Sequence, residues 1–423
     1  MLEIQKKLSN SFYAILSLPA TAMGFALSVQ ISALSWIMTT EYGLDLHEVG
    51  IVWSAGPIAG IIGQLLFGVI SDKAWFWGGR RRPFILMGGT LAALSLIALP
   101  NLGVIADVFG TTDIIMVAIV VALTLDLSIN ISFNPTRSLI TDVTPDGTPR
   151  TKGYTWMQTI SGTFGVLAYA IGAILGNYVL IYFGVILVLA FSVLPMLFIS
   201  EPKVLGKYDD DDSEQTDQVV KKETEWAEFI KVFLANAFSW IGVQTMFVYM
   251  IGYVNQYLSP VDNDDTGMII SVSFLILNAV GALLPAFVLE PLTEKIGRVK
   301  THYIALAFMA AGYAGIVFFG MDRYIVFGLM AVAGIGWAAI VSLPFAIMSE
   351  KINQTKMGLF MGIFNLSIVL PQLFVSLQIG AWVEAAENKN LIFIIAAVSL
   401  AVSSILWALV KEAKSIEKDI GVE

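Results

Sequence analysis

The chain has 423 residues, 57% hydrophobic and only 13% charged, against roughly 25% charged in an ordinary soluble domain. With a mean hydropathy of +0.78, that excludes a soluble globular protein and points to many membrane crossings. Cysteine is absent, which excludes disulfide and thiolate chemistry. The net charge of −9 carries no message about partners, because the acids are sorted by side, and no nucleic-acid partner is expected.

Taken in order, the first ten residues are polar, and the apolar run behind them is too long, and lacks the small-residue cleavage site, for a cleavable signal peptide. Runs long enough to cross a bilayer core of about 30 Å then recur at 12–37, 49–70, 83–100, 114–140, 154–177, 179–199, 227–257, 267–290, 303–320, 324–348, 357–380 and 391–410. An all-α membrane protein of twelve helices is expected, with the fifth and sixth parted only by a turn at Asn177-Tyr178. The polar stretch 201–226, with acids from Asp209 to Asp212, reads as a solvated linker. It divides the chain into one six-helix bundle at 1–200 and a second at 227–423.

Lysine and arginine fix the expected orientation. Of 24 basic residues, 22 fall in alternate loops or at the adjoining helix ends, and only Arg323 and Lys389 fall opposite. The basic side is read as cytoplasmic, with both termini there, in a cell membrane. The opposite loops carry Glu41, Asp45, Glu48, Asp107, Asp113, Asp262, Asp264, Asp265, Asp322, Glu384 and Glu387. The two histidines, His47 and His302, stand at separate helix ends, so no metal cluster is expected. No His-Glu-x-x-His, Gly-x-Ser-x-Gly or Cys/His constellation marks an enzyme.

The fourth helix holds the anomaly. Residues 114–140 span roughly 40 Å as α-helix, which puts Asp126 close to mid-membrane. A carboxylate there costs several kcal/mol and ordinarily faces a cavity, a partner or a proton path. Arg137 follows eleven residues on, within roughly 20° of the same face but ~16 Å along the axis. Asn130 and Asn134 fall between them, giving one polar seam on an apolar rod. Asp126 is read as a proton-carrying group, with a structural pairing to a neighbouring helix as the other reading. Arg137 is either its coupling partner or an arginine snorkelling to the interface.

The two halves echo each other at the basic side. Gly68, Asp72 and the run Arg80, Arg81, Arg82 occupy the connection between the second and third helices, and Glu290 and Arg298 occupy the matching connection in the second half. Gly68 admits a close helix approach, and the charges make a cluster that forms and breaks as two bundles rock. Pro135 to Asp142 after the fourth helix is likewise matched by Pro344 to Glu350 after the tenth. Two such repeats are the architecture of many secondary transporters.

Five separated stretches carry a resemblance: Trp-Ser-Ala-Gly-Pro-Ile-Ala-Gly at 53–60; Gly-Val-Ile-Ser-Asp-Lys at 68–73 with Gly-Arg-Arg-Arg-Pro-Phe at 79–84; Leu-Asp-Leu-Ser-Ile-Asn at 125–130 with Asn-Pro-Thr-Arg-Ser-Leu-Ile-Thr-Asp at 134–142; Gly-Ile-Gly-Trp-Ala-Ala-Ile-Val-Ser-Leu-Pro-Phe at 334–345; and Gly-Ile-Phe-Asn-Leu-Ser-Ile-Val-Leu-Pro-Gln at 362–372. In this order they resemble the sucrose/proton symporter branch of the major facilitator superfamily. The resemblance implies the major facilitator fold, with Asp126 as proton-coupling carboxylate, Arg137 as coupling arginine and His47 near a histidine of the first external loop. The seventh helix departs from it, keeping Ser239-Trp240 but ending without the acids that plant members carry.

A sugar offers hydroxyls and apolar C–H faces, so its pocket needs amides and aromatic rings. Gln30, Gln64, Gln158, Trp240, Gln244, Asn365 and Gln372, with Asn130 and Asn134, are the candidates at membrane depth, each equally able to serve as interhelical glue. The expected function is proton-coupled import of a disaccharide or related glucoside of the sucrose or maltose class, by a functional monomer, with no cofactor beyond the proton. A sodium-coupled sugar symporter and a proton-driven exporter of small organic compounds are the alternatives. The second helix has no acid at membrane depth, which favours protons over sodium.

Overall fold

The computed structural model describes residues 7–73, 75–145, 148–201, 223–353 and 357–412. The expected linker at 201–226 thus lies largely outside the described residues, as do the side chains of Gln64, Asp72 and Glu290 and the surroundings of Gly68. Twelve helices are long and apolar enough to cross a membrane: α1 (Asn10–Thr40), α2 (Leu46–Gly63), α3 (Arg82–Phe109), α4 (Ile114–Val143), α5 (Lys152–Leu175), α6 (Asn177–Phe198), α7 (Trp226–Tyr257), α8 (Asn263–Leu284), α9 (Arg298–Phe319), α10 (Arg323–Ser349), α11 (Leu359–Ala385) and α12 (Leu391–Ala408). The protein is a multi-pass membrane protein, all-helical, as its composition requires.

Short polar side chains set where these helices start, because the first N–H groups of a helix have no partner within it. Ser9 Oγ accepts from the Phe12 N–H at the head of α1. Asp45 and Glu48 form a reciprocal capping box at the head of α2. Asp113 accepts from Met116 at α4, and Asp322 from Tyr324 at α10. Several acids of the expected external loops are therefore helix caps.

Two boundaries differ from the sequence reading. The break between α5 and α6 falls at Gly176, whose φ of +88° suits glycine, and Asn177 already begins α6. The connection following α8 is nearly absent. A π-helical turn at Pro285–Leu289 carries α8 into Glu290–Ile296, so Glu290 sits in a helix and Gly297 alone joins it to α9. Its counterpart in the first half is longer and holds a tight hairpin, in which Phe76 and Gly79 exchange both backbone hydrogen bonds at 3.2 Å around Trp77 and Gly78 at positive φ.

The described helices form two compact units. The first takes in α1 to α6 together with Phe247–Leu275 and Val375–Lys389; the second takes in the rest of α7, α8 and α11 with α9, α10 and α12. In the first, α1 packs on α5 and α6, and α4 lies between α2 and α3. Glycines let α4 approach both neighbours. A Cβ at Gly63 of α2 would stand 2.6 Å from the Asn130 Cβ, and one at Gly88 of α3 would stand 2.6 Å from the Ser128 carbonyl oxygen. In the second unit α9 packs on α10 and α12.

Candidate functional site

Asp126 is the thirteenth residue of α4, about 18 Å from its start, and only 7% exposed. One carboxylate oxygen accepts from Gln30 Nε2 of α1 at 2.9 Å. The Gly56 backbone of α2 lies on another side, where a Cβ would rest 3.4–3.5 Å from the carboxylate. Among the described residues no lysine, arginine or histidine pairs with it. The structure thus brings together the candidate Gln30 of α1 and two of the expected stretches, in α2 and α4, around one acid that meets no cation among the described residues.

The rest of the seam behaves differently. Asn130 Nδ2 turns back to the Asp126 carbonyl at 2.8 Å, Asn134 is half-buried, and Arg137 is exposed. The Arg137 guanidinium stacks 4.2 Å over the Phe133 ring, while its carbonyl accepts from the Tyr154 hydroxyl at 3.1 Å. Arg137 makes no ion pair among the described residues. Gln158 lies exposed on α5. His47 is the second residue of α2, half-buried, with Nδ1 buried and unpartnered.

The second unit holds its own polar and aromatic group. Gln372 Nε2 of α11 faces Gln244 Oε1 of α7 at 3.4 Å, with Asn365 half-buried two turns earlier on α11. Trp240 meets Trp337 of α10 edge to face, centroids 6.3 Å apart, and Trp337 Nε1 donates to Asn278 Oδ1 of α8 at 3.0 Å. Trp337 and Asn278 were not among the residues expected from sequence. A tryptophan inside a glycine-rich apolar helix, with one polar handle to satisfy, was the available signal. Together these rings and amides can stack on an apolar face and hydrogen-bond hydroxyls.

At the basic ends each unit contains a carboxylate clamp. In the first, the N–H groups of Arg80, Arg81 and Arg82 all donate to Glu201, at 2.7, 2.9 and 2.6 Å. Arg81 Nε donates to Asp142 at 3.0 Å, and Arg80 lies 3.5 Å from the same oxygen. In the second, Glu412 accepts from the N–H groups of Arg298 and Val299 at 2.9 and 3.0 Å, and Arg298 pairs with Glu350. Of the expected gating arginines, Arg80 and Arg81 are therefore tied to the end of α4 and Arg298 to the residue that follows α10, while Arg82 gives its backbone N–H to Glu201. Glu201 and Glu412 escaped the sequence reading, although each follows the last helix of its half.

Among the described residues no group of three His, Asp or Glu side chains could hold a metal ion. Residues 16–376 match the family model described as Major Facilitator Superfamily. The chain belongs to the major facilitator superfamily. It is a membrane transporter rather than an enzyme. It is similar to "Sucrose transport protein SUT2" of Oryza sativa subsp. indica, 25% identical, covering 88% of this chain and 86% of that one. It is also similar to "Sucrose transport protein SUC4" of Arabidopsis thaliana, 24% identical over 88% and 84%. Among solved structures, the xylose transporter XylE from E. coli superposes with a TM-score of 0.71 at 14% identity, over 96% of this chain and 97% of that one. The nucleoside transporter NupG gives 0.69 at 13% identity, over 96% and 100%. These likenesses show the major facilitator fold.

Proposed function

We propose that this transporter imports a disaccharide or related glucoside, of the sucrose or maltose class, together with protons by alternating access. In this reading it acts as a monomer in the cell membrane with its basic loops toward the cytoplasm. The observation that carries it is Asp126, a carboxylate inside a bilayer-spanning helix that contacts an amide and, among the described residues, no cation. An unpaired carboxylate away from water is costly as an anion. A proton removes that charge, so the loaded state crosses between the two access states more cheaply than the empty one.

Each proton moved down about 100 mV supplies roughly 2.3 kcal/mol, worth about a 50-fold sugar gradient. The likeness to sucrose transport proteins supports the sugar class. Trp240, Trp337, Asn278, Gln244 and Gln372 supply the stacking faces and amides that a glycoside needs. α2 carries no acid between Val49 and Ser71, which supports protons over sodium as the coupling ion.

The test is uptake of labelled sucrose, maltose and glucose into proteoliposomes under an imposed pH gradient, with Asp126→Asn beside the parent. The parent should accumulate a disaccharide, and the variant should lose pH-driven accumulation. Undiminished accumulation by Asp126→Asn would remove Asp126 from the coupling step.

A further inference from the structure

α1 holds more than the partner of Asp126. Ser32 Oγ lies 2.9 Å from Ser271 Oγ of α8, and Ser35 Oγ donates to the Val248 carbonyl of α7 at 2.8 Å. Trp36 Nε1 donates to the Asn263 carbonyl at the head of α8 at 2.6 Å, and Trp53 of α2 donates to Ser35 Oγ at 2.8 Å. All of these groups belong to the first unit, and Ser32, Trp36 and Ser271 are fully buried. From Gln30 to Trp36 is about 9 Å of helix. One short stretch of α1 thus touches the carboxylate and fastens the ends of α7 and α8 that meet at the 258–262 loop.

Gln30 is satisfied at one end only. It is 1% exposed; its Nε2 serves Asp126, and its Oε1 is buried without a partner. A carboxylate only accepts, so it must face the amide's N–H side; a carboxylic acid also donates, and then the amide's oxygen is the better neighbour. Loading a proton on Asp126 therefore favours turning the amide over or pulling it away. Either movement acts on α1 close to the contacts that hold α7 and α8.

We propose that Gln30 is a positioning residue for coupling: its amide ties the protonation of Asp126 to the α1 hydrogen bonds that fasten the facing ends of α7 and α8. The inference rests on Asp126 being the proton site. Among the described residues, Asp126 is the one ionisable side chain that hydrogen-bonds Gln30. On the helices packed against α4, the remaining titratable residues are Tyr13 on α1, His47, Glu48, Asp72 and Lys73 on α2 and its continuation, Arg82 and Asp107 on α3, and Arg150, Lys152, Tyr154 and Tyr169 on α5 and the turn before it. All but Tyr169 lie toward helix ends, and Tyr169 is the neighbour of Ser28, on α1 two residues before Gln30. The α7 and α8 ends add Tyr249, Tyr253, Asp264 and Asp265, so the response that belongs to Asp126 is the part that Asp126→Asn removes.

The test uses Ser271→Cys in a chain that has no other cysteine. Ser271 is fully buried under α1, so its labelling by a membrane-impermeant maleimide reads release of α8 from α1. In proteoliposomes the labelling rate, divided by that of the same cysteine in denatured protein at each pH because only the thiolate reacts, should differ between acidic and alkaline pH by roughly threefold to tenfold, the change that one ordinary hydrogen bond gives. Gln30→Leu should abolish that difference while Asp126 remains. Gln30→Glu should move its midpoint to higher pH, because two adjacent carboxylates share a proton, which ties the response to a titrating group beside residue 30. A parent without pH-dependent labelling, a Gln30→Leu variant that keeps it, or a Gln30→Glu midpoint unchanged from the parent would each overturn the proposal. Asp126→Asn should lose the response as well; if it alone keeps the response, the proton site itself has been misassigned, and the failure lies with the proposed function.

Discussion

Arg81 donates from Nε to Asp142 at 3.0 Å, with 8% and 6% of the two side chains exposed. The pair joins the connection after α2 to the last turn of α4, while the neighbouring backbone N–H groups are held by Glu201. Breaking a buried pair by neutralising one partner leaves the other charge uncompensated and costs about 3–5 kcal/mol. Asp142→Asn should lower the melting temperature of the detergent-solubilised protein by several degrees. Arg81→Met combined with Asp142→Leu should recover part of that loss, since replacing Arg81 removes the charge that Asp142→Asn strands. A single Asp142→Asn variant as stable as the parent would show that the pair carries no net stability.

The approach of α2 to α4 gives a matched contrast on one helix. A Cβ at Gly63 would stand 2.6 Å from the Asn130 Cβ, while one at Gly60 meets nothing within 4 Å. Gly63→Ala should destabilise by about 1–3 kcal/mol through overpacking, and because Asn130 is one turn from Asp126 it should also slow transport. Gly60→Ala should be neutral or slightly stabilising, because alanine is the better helix former. Thermal melts of the two variants side by side check this, and equal behaviour would mean that α2 and α4 have room to part.

The twelve crossings were legible because long apolar runs leave little else for a chain to do in a bilayer, and Asp126 was legible because a lone acid in such a run has no bland place to sit. Its partnership with Gln30 was not. The two residues are 96 positions apart on different helices, and nothing in the sequence distinguishes Gln30 from the other buried amides. Glu201 and Glu412 were hidden for another reason: a carboxylate that accepts backbone N–H groups needs no particular residue type opposite it. The helix going on from Glu290 to Ile296 was not legible, because the apolar run 267–290 stops there and the residues beyond it are mostly polar. Pro291 stands in the first turn of that segment, where a missing N–H is tolerated.

Arg137 stacks on Phe133 and reaches no acid among the described residues. A guanidinium keeps its planar contact with a ring where an ammonium does not. If it acts in coupling, as the proposed function has it, Arg137→Lys should reduce pH-driven accumulation while leaving sugar exchange at equal pH closer to the parent. Accumulation equal to the parent would leave Arg137 as an interface residue. Comparing the two assays separates loss of coupling from loss of binding.

Trp337 offers the sharpest test of where a glycoside would rest. Its ring meets Trp240 edge to face, and its N–H is taken up by Asn278, so the indole is held at both ends in a fixed orientation. Trp337→Phe keeps an aromatic face but loses the hydrogen bond to Asn278 Oδ1; Trp337→Leu removes the face as well. If the ring stacks on the sugar, the Leu variant should raise KM for a disaccharide about threefold to tenfold, for a stacking contact of about 0.5–1.5 kcal/mol, with a smaller rise for Phe. Asn278→Leu should behave like Trp337→Phe, since each breaks the same hydrogen bond from one side. Should Trp337→Leu leave KM unchanged while lowering only the melting temperature, the tryptophan pair is packing between α7 and α10, and the sugar must find its apolar contacts elsewhere.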